Sequence, residues 1–115
     1  MQYMLLIHSD EAAMRSAPAE GTARMHAAYM AYTEALHQAG VVVNGNRLRP
    51  TSATTTVRVI DGKTQVLDGP YAETKEQLAG YYLIDVPDLD AALSWAARCP
   101  GAAVGAIEVR PVWTM

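Results

Sequence analysis

The sequence lacks several residue types that mark common protein classes. It has 115 residues with a single cysteine and no phenylalanine, and aromatic residues make up only 7% of the chain. One cysteine excludes an intramolecular disulfide framework and a thiolate-rich zinc site. No apolar run approaches the roughly 18 to 20 residues that a membrane-spanning helix needs. We therefore expect neither a disulfide-stapled domain nor a membrane protein.

A basic excess is also absent. Nine Lys and Arg residues stand against twelve Asp and Glu residues, for a formal net charge of −3. Proteins that bind nucleic acids by neutralising phosphates are basic, so we expect no nucleic-acid partner. Met1–His8 carries no positively charged n-region of a signal peptide, which favours a cytoplasmic location.

Motifs for common cofactors and metals are missing as well. The chain has no glycine-rich dinucleotide or phosphate loop, no GxSxG nucleophile motif and no paired-histidine metal motif. The sequence therefore predicts no cofactor and no metal site.

Apolar residues are abundant, since they make up half of the composition, and 20 of them are alanine. A chain of this length forms one domain over residues 1–115 and buries about 65% of its unfolded surface.

Hydrophobic periodicity predicts alternating strands and helices. The predicted strands are Gln2–His8, Val41–Asn44, the two arms of a hairpin over Thr54–Asp68, Tyr81–Val86 and Val104–Trp113. The predicted helices cover Ala19–Ala39 and the stretch from the Asp88 cap to Arg98, and Ser9–Pro18 is predicted to be a loop. This order predicts an α+β fold, a ferredoxin-like antiparallel sheet with two helices on one face.

The hairpin has a defined register. The Asp61-Gly62 pair favours a two-residue type I′ turn, which places Val57 opposite Val66. Val57, Val59 and Val66 then share one face of the hairpin.

The first strand is apolar on both sides, with Leu5 and Ile7 on one and Met4 and Leu6 on the other. Two helices cover only one face of a sheet, and an antiparallel sheet with one wet face should alternate between apolar and polar residues. We therefore expect a second subunit, a ligand or both on the other face. A symmetric homodimer packed sheet to sheet is the favoured arrangement.

A polar cluster follows the hairpin directly. Asp68–Glu76 holds three carboxylates, a lysine and a tyrosine in nine residues. Asp68 ends the strand on the face of Val57 and Val66, a position that suits a general acid or base. The alternative is structural, with Asp68 in an Asx turn and Thr74 capping a short helix.

Three further side chains are candidates for a site. His8 ends the first strand, where an imidazole can serve as a proton shuttle or be structural. Tyr29 and Tyr82 could line a pocket for a flat ligand, or belong to the core with bonded hydroxyls.

Residues Asp68–Glu76 read DGPYAETKE and closely resemble DGPFAETKE, the signature of the DGPF subgroup of YCII-related proteins, with Tyr71 in place of Phe. Stretches such as Tyr3–Ile7 and Glu108–Val112 extend the resemblance over the whole chain. The resemblance implies a ferredoxin-like fold assembled as a dimeric α-β barrel, and a cleft in each subunit. It also implies a link to extracytoplasmic-function sigma factors, whose genes often neighbour those of this subgroup.

The wider family includes a dehydrochlorinase and proteins with a His-Asp dyad, but here Tyr29 and Cys99 stand at the dyad positions, so the dyad is absent. The favoured function is small-molecule binding by a homodimer, through Tyr71, Glu73, Tyr29 and Tyr82. The alternative is a lyase or isomerase in which Asp68 is the acid or base and His8, Lys75 and Glu73 assist. A third hypothesis is a protein that docks a sigma factor.

Overall fold

The computed structural model describes residues 1–114 and contains six strands and three α-helices within them. In chain order these are β1 (Gln2–Ser9), α1 (Glu11–Arg15), α2 (Ala19–Gln38), β2 (Val42–Arg47), β3 (Thr55–Ile60), β4 (Lys63–Asp68), β5 (Gln77–Asp85), α3 (Leu89–Arg98) and β6 (Ala106–Pro111). Short 3-10 turns cover Thr51–Ala53 and Pro100–Ala103.

Four strands form the main sheet in the order β2-β5-β1-β6, and every neighbouring pair is antiparallel. Helix α2 connects β1 to β2, and α3 connects β5 to β6. This topology confirms the predicted antiparallel α+β fold and is consistent with a ferredoxin-like fold. Strands β3 and β4, which lie between β2 and β5 in the sequence, form a separate two-stranded sheet.

The core lies between one face of the sheet and the two longer helices. Alternate residues of β1 are buried, and they join side chains of α2 and α3 in one cluster. Leu5 and Leu36 are fully buried, and burial of such a side chain contributes about 1.5 to 3 kcal/mol. Helix α3 contributes Ala92 and Ala96 to this cluster. Their small side chains let α3 lie close to the sheet.

The β3–β4 hairpin has the predicted register. Val57 pairs with Val66 and Val59 with Thr64. Asp61 and Gly62 have φ angles of 51° and 75°, as a type I′ turn requires.

Several predicted boundaries are wrong. The supposed loop Ser9–Pro18 contains α1, whose N-terminus is capped by Asp10: its Oδ1 accepts a hydrogen bond of 3.1 Å from the Ala13 amide. Residues 1–114 thus form three α-helices instead of the predicted two. The last strand is shorter than the predicted Val104–Trp113, because Val104 caps the 3-10 turn and the pairing with β1 covers only Ala106–Pro111. Strand β5 begins at Gln77, because its pairing with β1 extends to Ser9.

The other face of the main sheet is left uncovered by the helices. Met4 and Leu6 of β1 pair with Leu83 and Tyr81 of β5, and all four side chains are half-buried. We call these four residues the open face. The described chain measures 47 × 45 × 19 Å. Its radius of gyration is 16.1 Å, against about 13 Å for a compact domain of this length.

None of the helices in the described part of the chain combines the length and the apolar character needed to cross a bilayer.

Candidate functional site

A cleft of about 1180 Å³ opens at the end of β1, beside the segment that the sequence singles out. Its walls come from four parts of the chain. They are the end of β1 with α1, the stretch 48–54 after β2, the first residues of β3, and the stretch 69–78 that leads into β5. We call this space the motif cleft. His8 lines the cleft. By the alternation of residues along β1, it lies on the same face as Met4 and Leu6, so the cleft borders the open face.

Glu11 fixes one wall of the motif cleft. Its Oε1 accepts a hydrogen bond of 2.8 Å from the Thr51 amide, and its Oε2 accepts one of 2.7 Å from the Thr51 hydroxyl. The Glu11 amide in turn donates to Oε1 of Gln77 at 3.0 Å. Glu11 therefore ties together α1, the Thr51 turn and the start of β5.

Another wall is formed by residues 69–76 of the motif segment, Asp68–Glu76, which is held by turns. The Gly69 amide donates to the Thr54 carbonyl and the Thr56 hydroxyl donates to the Gly69 carbonyl, both at 2.7 Å. Gly69 has a φ of +99°, a conformation that glycine adopts without strain. Thr74 donates to the Glu76 carbonyl. The segment contains no helix, so the predicted helix cap at Thr74 is wrong.

Three cationic side chains line the motif cleft, namely Arg15, Arg49 and Lys75. Within residues 1–114, none of them has a carboxylate oxygen within 4.0 Å. Of the carboxylates in the lining, those of Asp10 and Glu11 already accept hydrogen bonds from the protein. An acidic group on a ligand would therefore find unpaired cations, while Glu73 and Glu76 supply carboxylates to a polar or basic group.

The His8 ring on β1 lies beside the carboxylate of Glu108 on the neighbouring strand β6. Its Nε2 lies 2.5 Å from Oε1 of Glu108, but the ring N–H is not aligned for a hydrogen bond. The contact is an ion pair when the imidazole is protonated. It places a titratable ring where the motif cleft meets the open face.

The structure brings together four of the predicted site residues and separates the other three. His8, Tyr71, Glu73 and Lys75 line the motif cleft. Asp68 ends β4 opposite Thr55, is exposed, and is not part of the lining. Tyr29 and Tyr82 pack against the core on the helix side of the sheet.

The helix-side hydroxyls are bonded within the protein. The Cys99 thiol donates to Oη of Tyr29 at 3.6 Å, and Oη of Tyr82 lies 2.7 Å from the Thr33 hydroxyl. Burial raises the pKa of Tyr29 and of Tyr82, and it raises the pKa of the Cys99 thiol. The two side chains at the dyad positions thus touch each other, and both stay protonated near neutral pH.

Sequence reasoning missed Glu11, Arg15, Arg49 and Thr51. The first two belong to α1, and the sequence does carry a signal for that helix. Asp10 is a good N-cap, and an acidic first turn and a basic last turn suit the helix dipole. Arg49 and Thr51 have no such signal, because only the tertiary fold brings them beside α1.

These features define an α+β domain with a ferredoxin-like sheet, one open sheet face and a polar cleft beside it. The chain belongs to the YCII-related family, whose domain matches residues 1–115. It is similar to an uncharacterized protein of Rhizobium meliloti (strain 1021), with 40% identity over 114 residues. That alignment covers 97% of this chain and 92% of the relative.

Proposed function

We propose that the protein is a homodimer that binds a polar small molecule in the motif cleft. The observation that carries this proposal is the lining of the cleft, in which cations that have no carboxylate partner among residues 1–114 lie beside walls fixed by hydrogen bonds. Ligand sites commonly have volumes of about 300 to 1,000 Å³. The motif cleft is slightly larger at about 1180 Å³, as suits a site that a second subunit narrows.

The dimer is supported by surface area. The chain exposes 8141 Å², against about 6,100 Å² for a compact monomer of its mass. A standard interface removes about 800 Å² from each partner. A two-fold partner on the open face would cover Met4, Leu6, Tyr81 and Leu83 and give the dimeric α-β barrel that the resemblance implies.

The DGPYAETKE segment supports a finer assignment. We place the chain in the DGPF subgroup because this segment differs from the subgroup signature only at Tyr71. For such a protein the proposed role of ligand binding is regulatory, in connection with an extracytoplasmic-function sigma factor. The exposed Tyr71 ring lies at the motif cleft, where it would contact the ligand.

The test is a nuclear magnetic resonance titration with three probes of similar size: benzoate, benzylamine and benzyl alcohol, at millimolar concentration. We expect the amide shifts to concentrate at Arg49, Tyr71 and Lys75, with benzoate the tightest of the three. Arg49→Gln should weaken benzoate binding more than benzyl alcohol binding, because benzoate is the probe with a negative charge and benzyl alcohol is neutral.

Arg24→Gln is the matched control, because Arg24 is exposed on α2 and already paired with Glu20 at 3.0 Å. It should leave benzoate binding unchanged. Shifts centred on Tyr29 and Tyr82, or no binding of any probe, would refute the motif cleft as the site.

A further inference from the structure

The β3–β4 hairpin exposes apolar side chains that nothing in the described chain covers. Val57, Val59 and Val66 on one face are 59%, 66% and 61% exposed, and Ile60 and Leu67 on the other are 47% and 56% exposed. The hairpin packs extensively against no other element of residues 1–114. Isolated two-stranded hairpins are at best marginally stable in water, and contiguous exposed apolar patches mark interaction sites.

We infer that the hairpin is a clasp that lies on a second copy of this chain through the Val57, Val59 and Val66 face. This inference rests on the proposed homodimer. The valine face also contains Thr64, opposite Val59 near the turn, and Thr55, opposite Asp68 at the far end. Asp68 is its charged residue. The opposite face carries Arg58, Lys63 and Gln65, which are costly to bury without partners.

A second copy is the occupant that the surface area favours. The chain exposes 8141 Å², a surplus of about 2,000 Å² over a compact monomer. Covering the open face alone at the standard value of about 800 Å² per partner leaves much of this surplus in place. The valine face of the hairpin adds three large apolar side chains that are each more than half exposed. A two-fold pair in which each hairpin reaches the partner would cover this face together with the open face.

The clasp would also complete the motif cleft. Thr54, Thr56 and Gly69 at the base of the hairpin line the cleft, and two of their hydrogen bonds close that base. Fixing the hairpin on a partner would therefore fix one wall of the site. Ligand affinity should fall when the clasp is released.

The test compares the triple variant V57T/V59T/V66T with a matched control, R58T/Q65T, on the opposite hairpin face. Threonine keeps the β-branched shape, so the strands should retain their register. Sedimentation equilibrium should show a dimer weakened at least about tenfold in the triple variant, because buried hydroxyls without partners oppose association. The control should change the dissociation constant less than about twofold.

Hydrogen exchange of the wild-type hairpin amides, at high and low protein concentration, is the second readout and does not depend on any variant. We expect protection that is lost on dilution. Equal dissociation constants for the triple variant, the control and the wild type would overturn the clasp and leave the dimer and its cleft standing. A wild-type monomer at every concentration would overturn the clasp and the proposed dimer together, whereas the titration above judges the cleft separately.

Discussion

On the helix side of the sheet, three tyrosines and one cysteine are held in their protonated forms. Burial raises the pKa of Tyr29, Tyr32 and Tyr82. The hydroxyl of each of these tyrosines has a hydrogen-bond partner within the protein. Burial is also the largest cause of the raised pKa of Cys99, although its bond to Tyr29 lowers it in part. These residues therefore stabilise the core as neutral groups.

This arrangement predicts that stability falls in alkali. An acid with a higher pKa in the folded state than in the unfolded state gives full stability below the unfolded value and loses it as pH rises. The ordinary pKa values are 9.0 for cysteine and 10.0 for tyrosine. The free energy of unfolding, measured with urea, should therefore be lower at pH 11 than at pH 7.

Tyr29→Phe tests the cause of that loss. It removes one of the buried ionisable groups, so the decrease between pH 7 and pH 11 should be smaller than in the wild type. At pH 7 the free energy of unfolding should be lower by about 0.5 to 1.5 kcal/mol in the variant, because the hydrogen bond from Cys99 is lost. An unchanged decrease would show that ionisation of Tyr29 does not contribute.

The same residues show what sequence spacing can and cannot assign. Tyr29 shares a helical stripe with Tyr32 and Leu36, which are buried in the core. That periodicity identifies a core-facing position, and the structure places Tyr29 there. For Asp68, spacing identifies the strand face, but it says nothing about which neighbours cover that face, and here Val57 and Val66 are exposed.

Among the secondary-structure elements, α1 was the one that periodicity could not find. It has five residues, too few for an apolar stripe to repeat. The hairpin was predictable to the residue, because Asp61-Gly62 fixes both the turn type and the register. Local chemistry thus determined the hairpin, whereas α1 takes its place in the fold from the Glu11–Thr51 hydrogen bonds.

The link between α1 and the Thr51 turn gives a prediction for an element. Glu11→Gln removes the carboxylate charge and replaces one acceptor oxygen with an NH2 group. Both hydrogen bonds to Thr51 then lose their charge assistance, and the Thr51 hydroxyl must turn to accept a hydrogen bond instead of donating one. We expect a loss of about 1 to 2 kcal/mol in the free energy of unfolding. Glu20→Gln breaks only an exposed i,i+4 pair with Arg24 and should cost less than about 0.5 kcal/mol. Equal effects of the two substitutions in urea unfolding would contradict the role of Glu11.

For the molecule as a whole, the sequence predicted the sheet and a second apolar face, but only half of the site. Tyr71, Glu73 and Lys75 lie in one contiguous segment, so a motif could identify them. Arg15 and Arg49 lie far from that segment in sequence, and the fold alone brings them to the same cleft. The 19 Å thickness of the described chain accords with a sheet that has helices on one side only.

We propose that the working unit is a pair of chains whose clefts lie beside the interface. The most direct test is the mass in solution, measured by sedimentation equilibrium at micromolar concentration. We expect twice the 12.4 kDa mass of the chain, because a partner would cover both the open face and the hairpin. The mass of a single chain, maintained as the concentration is raised, would contradict it.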